Sequence, residues 1–184
     1  MKLARSPHRK VLISICLAVV VALAIGWQFV KLHCALSMVP DALEVSSVSY
    51  SKEESWGMGP GAAETGLLVY PLGVHMSEQI TEQNIAFFKT MPAIENQYGR
   101  RGEYAGWQQT PLTGEISTGY EDEKVPISLE SYLDQRGYGI AIDPEVTVQV
   151  NQILLSPGAY YAYGRNSMIV VSPKEQLVVY MYIG

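Results

Sequence analysis

Residues 11–30, VLISICLAVVVALAIGWQFV, contain no ionisable side chain other than the Cys16 thiol. Twenty helical residues rise roughly 30 Å, about the hydrocarbon thickness of a bilayer. The stretch therefore reads as a transmembrane signal anchor over 11–31. The tail before it, MKLARSPHRK, is basic. By the positive-inside rule it stays in the cytoplasm and the chain beyond the anchor is exported. Trp27 and Phe29 suit an interfacial belt, and Lys31 can snorkel outward. The competing reading is a cleavable signal peptide, for which Ala24-Ile25-Gly26 has the small residues, but the apolar run continues past that point. Neither Cys16 nor Cys34 follows a small residue as a lipobox requires. The expected organisation is a tail at 1–10, an anchor at 11–31, a linker at 32–43 and an exported domain at 44–184.

Charge is divided unevenly about the anchor. Five of the 13 basic residues and none of the 18 acidic ones precede residue 41, so 41–184 carries eight basic against 18 acidic side chains, a net of −10. Such a domain repels phosphates and anionic headgroups and favours a basic partner, which argues against nucleic-acid binding. Both cysteines, Cys16 and Cys34, lie in or beside the anchor, so the exported part has no disulfide, and it has no N-x-Ser/Thr acceptor. These absences fit a bacterial inner-membrane protein, single-pass, with its C-terminal domain extracytoplasmic. Two routes to a homodimer are open: a Cys34 disulfide, or helix pairing through Ala18, Ala22 and Gly26, spaced four apart.

The expected fold class is α+β, with two or three helices on a mainly antiparallel sheet. A strand ending near Tyr50 precedes WGMGPGAAETG (56–66), a glycine-rich loop without a Walker lysine. GLLVYPL (66–72) reads as a buried strand. Ser77 is expected to cap a helix over 78–90 with Ile80, Ile85, Phe88 and Met91 inward. Residues 93–127 show no periodicity. Ser128 then caps LESYLDQR, with Gly137 as its left-handed stop, and YGIAI (138–142) reads as a strand. Asp143-Pro144-Glu145 is a helix start, and Val146, Val150, Ile153 and Leu154 follow at helical spacing. The last 26 residues form a β-meander of AYYAYG, SMIVVS and QLVVYMYI, with turns at GRN and PKE. Its tyrosines are expected to stack across strands as one aromatic face.

The chemistry is sparse. His75 is the one histidine inside the exported domain, no Gly-x-Ser-x-Gly elbow exists, and no His/Cys/carboxylate cluster has metal-ligand spacing. No cofactor or metal is expected. YEDEK (120–124) lacks the EF-hand spacing. The stretch richest in contact chemistry is Tyr98, Arg100, Arg101, Tyr104 and Trp107, because arginine and aromatic side chains dominate interface hot spots. Arg165, on the turn after a tyrosine-rich strand, and His75 join these as candidate binding residues. The expectation is a membrane-anchored, non-catalytic envelope protein that binds another protein, probed most sharply as an inhibitor or immunity-type protein masking a basic target. The alternative is a small hydrolase or transferase of envelope polymers, using carboxylates with His75, Arg100 or Arg101.

Overall fold

The computed structural model describes residues 7–57, 63–91, 104–118, 123–137 and 139–184. Contacts divide the chain into two compact units, Met1–Ala35 and Leu36–Gly184. The first is carried by helix α1, Pro7–Leu36, in which mean hydropathy reaches 2.4 over Ile13–Leu36. It is long and apolar enough to cross a membrane once, and a signal sequence meets the same criteria. One turn apart on this helix, the Lys31 ammonium stands 5.9 Å from the centroid of the Trp27 ring.

The second unit is built on a six-stranded sheet. Its strands are β1 (Tyr50–Trp56), β2 (Ala63–Pro71), β3 (Ala105–Gln109), β6 (Tyr160–Tyr163), β7 (Ser167–Ser172) and β8 (Leu177–Ile183). They lie in the order β1-β2-β8-β7-β6-β3, and every neighbouring pair is antiparallel. Strands β4 (Glu115–Thr118) and β5 (Glu123–Pro126) pair separately. Among the described residues four α-helices accompany them, α2 (Val74–Gln83), α3 (Ile85–Lys89), α4 (Leu129–Leu133) and α5 (Pro144–Leu155), together with a short 3-10 turn at Asp41–Leu43.

Alternation along a strand sends successive side chains to opposite faces. One face, with Leu67, Val69, Val170, Val179 and Met181, packs against Leu129 and Leu133 of α4 and Val150, Ile153 and Leu154 of α5. Each fully buried leucine there contributes about 1.5–3 kcal/mol. The other face meets α3, where the Phe88 ring lies 4.9 Å from that of Tyr160. Coverage on both faces explains why β2, β7 and β8 read as continuous apolar runs rather than alternating ones. Edge strand β1 instead alternates in burial and carries Lys52, Glu53 and Glu54, charges that discourage a further strand from adding.

The expected α+β class with its C-terminal meander is what the structure has. The helix read over 78–90 differs. It starts earlier, at Val74, and breaks at Asn84, which adopts φ 54°. Asparagine tolerates that left-handed φ better than most residues. There its carboxamide oxygen accepts a hydrogen bond from the Tyr160 hydroxyl at 3.1 Å, so the break docks α2 and α3 onto the sheet. Ser77 is not a cap: it lies inside α2 and its hydroxyl donates to the Gly73 carbonyl. Residues 139–142, read as part of a strand, pair with none, although Ile140 and Ile142 still pack on the core. The stretch 93–127, read as aperiodic, contains β3, β4 and β5 among its described residues. Within 32–43, read as a linker, α1 runs on to Leu36, and Val39 and Leu43 are buried.

The tyrosines do not form one cross-strand aromatic face. Tyr161–Tyr163 and Tyr180–Tyr182 pair along their own strands, with centroids 5.7 and 5.6 Å apart. Tyr161 lies opposite Val170 and Val170 opposite Val179, so Tyr161 and Tyr163 share a face with Val179, whereas Tyr180 and Tyr182 point to the opposite face of the sheet.

Asn151 joins α4 to α5. Its carboxamide oxygen accepts from the Leu129 N–H at 2.8 Å, and its nitrogen donates to a Glu130 carboxylate oxygen at 2.9 Å. Partial burial pushes the Glu130 carboxyl up, but the bonds from Asn151, the backbone and Ser128 outweigh it and hold it below its ordinary value. Asn151→Ala strands a helix-terminal N–H, a loss of about 1–3 kcal/mol. The expected result is a lower denaturation midpoint together with a Glu130 titration moved upward, followed by carboxyl NMR. Because Glu130 titrates low in the folded state, its share of the stability is present above the ordinary carboxylate range and is lost as pH falls through the lowered value.

Candidate functional site

Three local devices bring a set of polar side chains to one end of the sheet. The first is α4. Ser128 and Ser131 form a capping box at its start: the Ser128 hydroxyl accepts from the Ser131 N–H at 3.1 Å, and the Ser131 hydroxyl accepts from the Ser128 N–H at 2.8 Å. Gly137, at φ 71°, lies just past the turn that follows α4, which carries Gln135 and Arg136. The second device is the tight turn between β6 and β7, where the Gly164 N–H donates to the Ser167 carbonyl at 2.8 Å and Arg165 and Asn166 sit at the tip. The third is β4, which presents Glu115, Ile116 and Ser117.

Together these elements line an open cleft of about 570 Å³, within the size range of ligand sites. Its walls include Tyr132 and Tyr163 besides the residues above, and Ile127 and Ile183 supply further apolar surface. Tyr132 is buried, whereas Tyr163 is 44% exposed and offers a ring to whatever enters. Burial raises both phenols above the ordinary value, with neighbouring tyrosines adding to it, so both stay neutral at physiological pH. Arg136 and Arg165 are exposed and make no ion pair among the described residues. The described lining holds one carboxylate, Glu115, and no histidine.

No family model, curated protein or solved structure matches this chain. Its chemistry is therefore read from these side chains alone. Among the described residues no three His, Cys, Asp or Glu side chains converge as a metal ion would require.

The residues singled out from the sequence fall in several places. Tyr98, Arg100 and Arg101 lie outside the described residues. Arg165 lines the cleft. Tyr104 braces its turn from behind: a Cβ on Gly164 would stand 3.4 Å from the Tyr104 ring. The Tyr104 hydroxyl donates to the Met38 carbonyl at 3.0 Å, and burial raises its pKa. Trp107 faces inward, stacked on Phe88 with centroids 4.2 Å apart. Its ring stands 6.3 Å from that of Tyr104, so these two aromatics do come together, but as packing. His75 is exposed on α2 and does not line the cleft; Gln79 Nε2 donates to its Nε2 at 3.3 Å.

Sequence reasoning missed Arg136, Glu115, Tyr132 and Tyr163 as a group. Arg136 stands just before the predicted left-handed stop at Gly137, which was a signal that its side chain leaves the helix at a turn. Nothing in the spacing of residues 115, 132, 136, 163 and 165 foretells that the sheet brings them to one end.

Proposed function

We propose that this chain is a membrane-tethered, non-catalytic protein-binding domain of a bacterial envelope, with the helix Pro7–Leu36 as its tether and the domain outside the cytoplasm. The observation that carries the reading is the cleft between α4 and the β6–β7 turn. Two arginines without an ion pair among the described residues, lining the same cleft as an exposed tyrosine ring, make the side-chain combination most enriched at binding hot spots. The net charge of −10 over 41–184 supports a basic partner, drawn in by long-range attraction and seated by the cleft. An inhibitor or immunity-type protein is the form of this function that unites a tether, a small domain and an acidic surface. A hydrolase would need His75 or a second carboxylate in the cleft, and its described lining offers neither.

The test is site-specific photo-crosslinking in cells. A photoreactive residue at Tyr163 is expected to yield a discrete protein adduct, and one at exposed Glu78 on α2 is expected to yield none. Arg136→Ala with Arg165→Ala should abolish the adduct, and association of the purified partner should weaken as salt rises. Equal adducts from both positions, or none from Tyr163, would rule the reading out.

A further inference from the structure

The charge and shape of this cleft specify more than a protein surface. Two guanidiniums against one carboxylate, with both phenols neutral, leave one net positive charge among the described lining residues. Guanidinium groups bind planar carboxylates through paired N–H donors. A phosphate monoester brings close to two negative charges, more than this lining neutralises. An anionic membrane surface is disfavoured further, because the whole domain is acidic. The apolar surface of Ile116, Ile127 and Ile183 lies in the same cleft as the arginines, so the lining suits an anion that carries an apolar group with it. The Gln135 and Asn166 side chains line the cleft as well, and carboxamides can pair with peptide backbone.

We propose that the cleft between α4 and the β6–β7 turn captures the C-terminal carboxylate of a basic partner protein, with the partner's last, apolar side chain lying on Tyr163 and Ile116. This rests on the protein-binding reading above and names the part of the partner that enters. Arg136 and Arg165 hold the carboxylate, and the acidic remainder of the domain attracts the basic segment behind it.

The experiment uses the full chain in micelles of uncharged detergent. The probes are fluorescent pools of short lysine-rich peptides, randomised at their last positions, made once with a free C-terminal carboxylate and once amidated. Fluorescence anisotropy is expected to show binding of the free-acid pool, with amidation weakening it about ten- to a hundred-fold. Sequencing the retained peptides should return apolar last residues. Arg165→Gln should lower the free-acid affinity towards the amidated level while leaving the amidated pool unchanged, and Arg165→Lys should restore part of it. The denaturation midpoint of both variants, on an exposed turn, should match the parent chain. Equal binding of both pools would overturn the carboxylate proposal and leave the protein-binding reading standing. Binding of neither pool would overturn both, and so would displacement by inorganic phosphate or by phosphatidylglycerol vesicles in preference to peptide.

Discussion

Phe88→Ala is expected to lower stability by about 3–5 kcal/mol, the range for removing a buried phenyl ring from a packed core. In a domain of this size that corresponds to a fall in Tm of about 6–20 °C. Phe88 is 3% exposed, and its ring centroid lies 4.2 Å from Trp107, 4.9 Å from Tyr160 and 5.3 Å from Phe87. Its ring thus contacts all three of these aromatic partners. Removing it unseats α3 from the sheet and leaves Trp107 without its stacking surface on edge strand β3. Chemical denaturation of the full chain in micelles, followed by tryptophan fluorescence, reads both effects. Because Trp107 and Phe88 are in contact, Phe88→Ala with Trp107→Ala should cost less than the sum of the single changes. Strict additivity would show that Trp107 does not depend on Phe88 for its place.

The second large effect is expected at Gly66, which sits between Glu53 on β1 and Tyr182 on β8 in the pairing register. The Tyr182 side chain passes over this glycine, and its hydroxyl donates to a Glu53 carboxylate oxygen at 3.1 Å on the far side. A Cβ at Gly66 would stand 2.4 Å from the ring carbon Cε1 and 2.8 Å from the hydroxyl oxygen. The ring is nearly buried and stacked on Tyr180, so it cannot yield without losing contacts. Gly66→Ala should therefore cost about 1–3 kcal/mol, read as a lower denaturation midpoint at unchanged m-value. A pH signature separates this from a generic strand defect. Burial, then the nearby Glu53 charge, raises the Tyr182 phenol above its ordinary value of 10.0. A raised tyrosine contributes stability that is complete below the ordinary value and is lost as pH climbs through the folded one. Once the ring is displaced, its titration should fall back towards the ordinary value, and the alkaline loss of stability should shrink. An unmoved phenol titration would show that the ring tolerates a methyl group beneath it.

Wherever one local rule decides the outcome, the sequence was legible. Asp143-Pro144 opened α5 because an aspartate cap and a proline in the first turn act within one helical turn, and the Asp143 carboxylate accepts from the Glu145 N–H at 2.9 Å. Ser128 capped α4 for the same reason. The meander over 160–183 was legible because its strands are adjacent in sequence as well as in space. Failures came where distant partners decide. Asn84 broke the expected helix because Tyr160, 76 residues away, rewards a bend there. Residues 139–142 have the composition of a strand yet take no strand pairing among the described residues, while Lys52-Glu53-Glu54 looks unlike a strand yet pairs along its length with β2. The cleft was half legible. Arg165 could be singled out from its turn, whereas Arg136 and Glu115 joined it only through the docking of β4 and α4 at the end of the sheet.

Strand order also has a temporal side. β2 and β8 are hydrogen-bonded neighbours near the middle of the sheet, yet Thr65 pairs with Ile183 across more than a hundred intervening residues. Closing so long a loop is slow, because the entropy of the intervening chain is lost before the pairing repays it. Until β8 is made, the β1–β2 hairpin and the β6–β7 hairpin have no strand to join them, and each shows an unpaired apolar edge to its surroundings. A chain delivered from its N-terminal side must therefore wait for Leu177–Ile183 before the sheet can close, and an open apolar edge in that interval favours association with other unfinished chains.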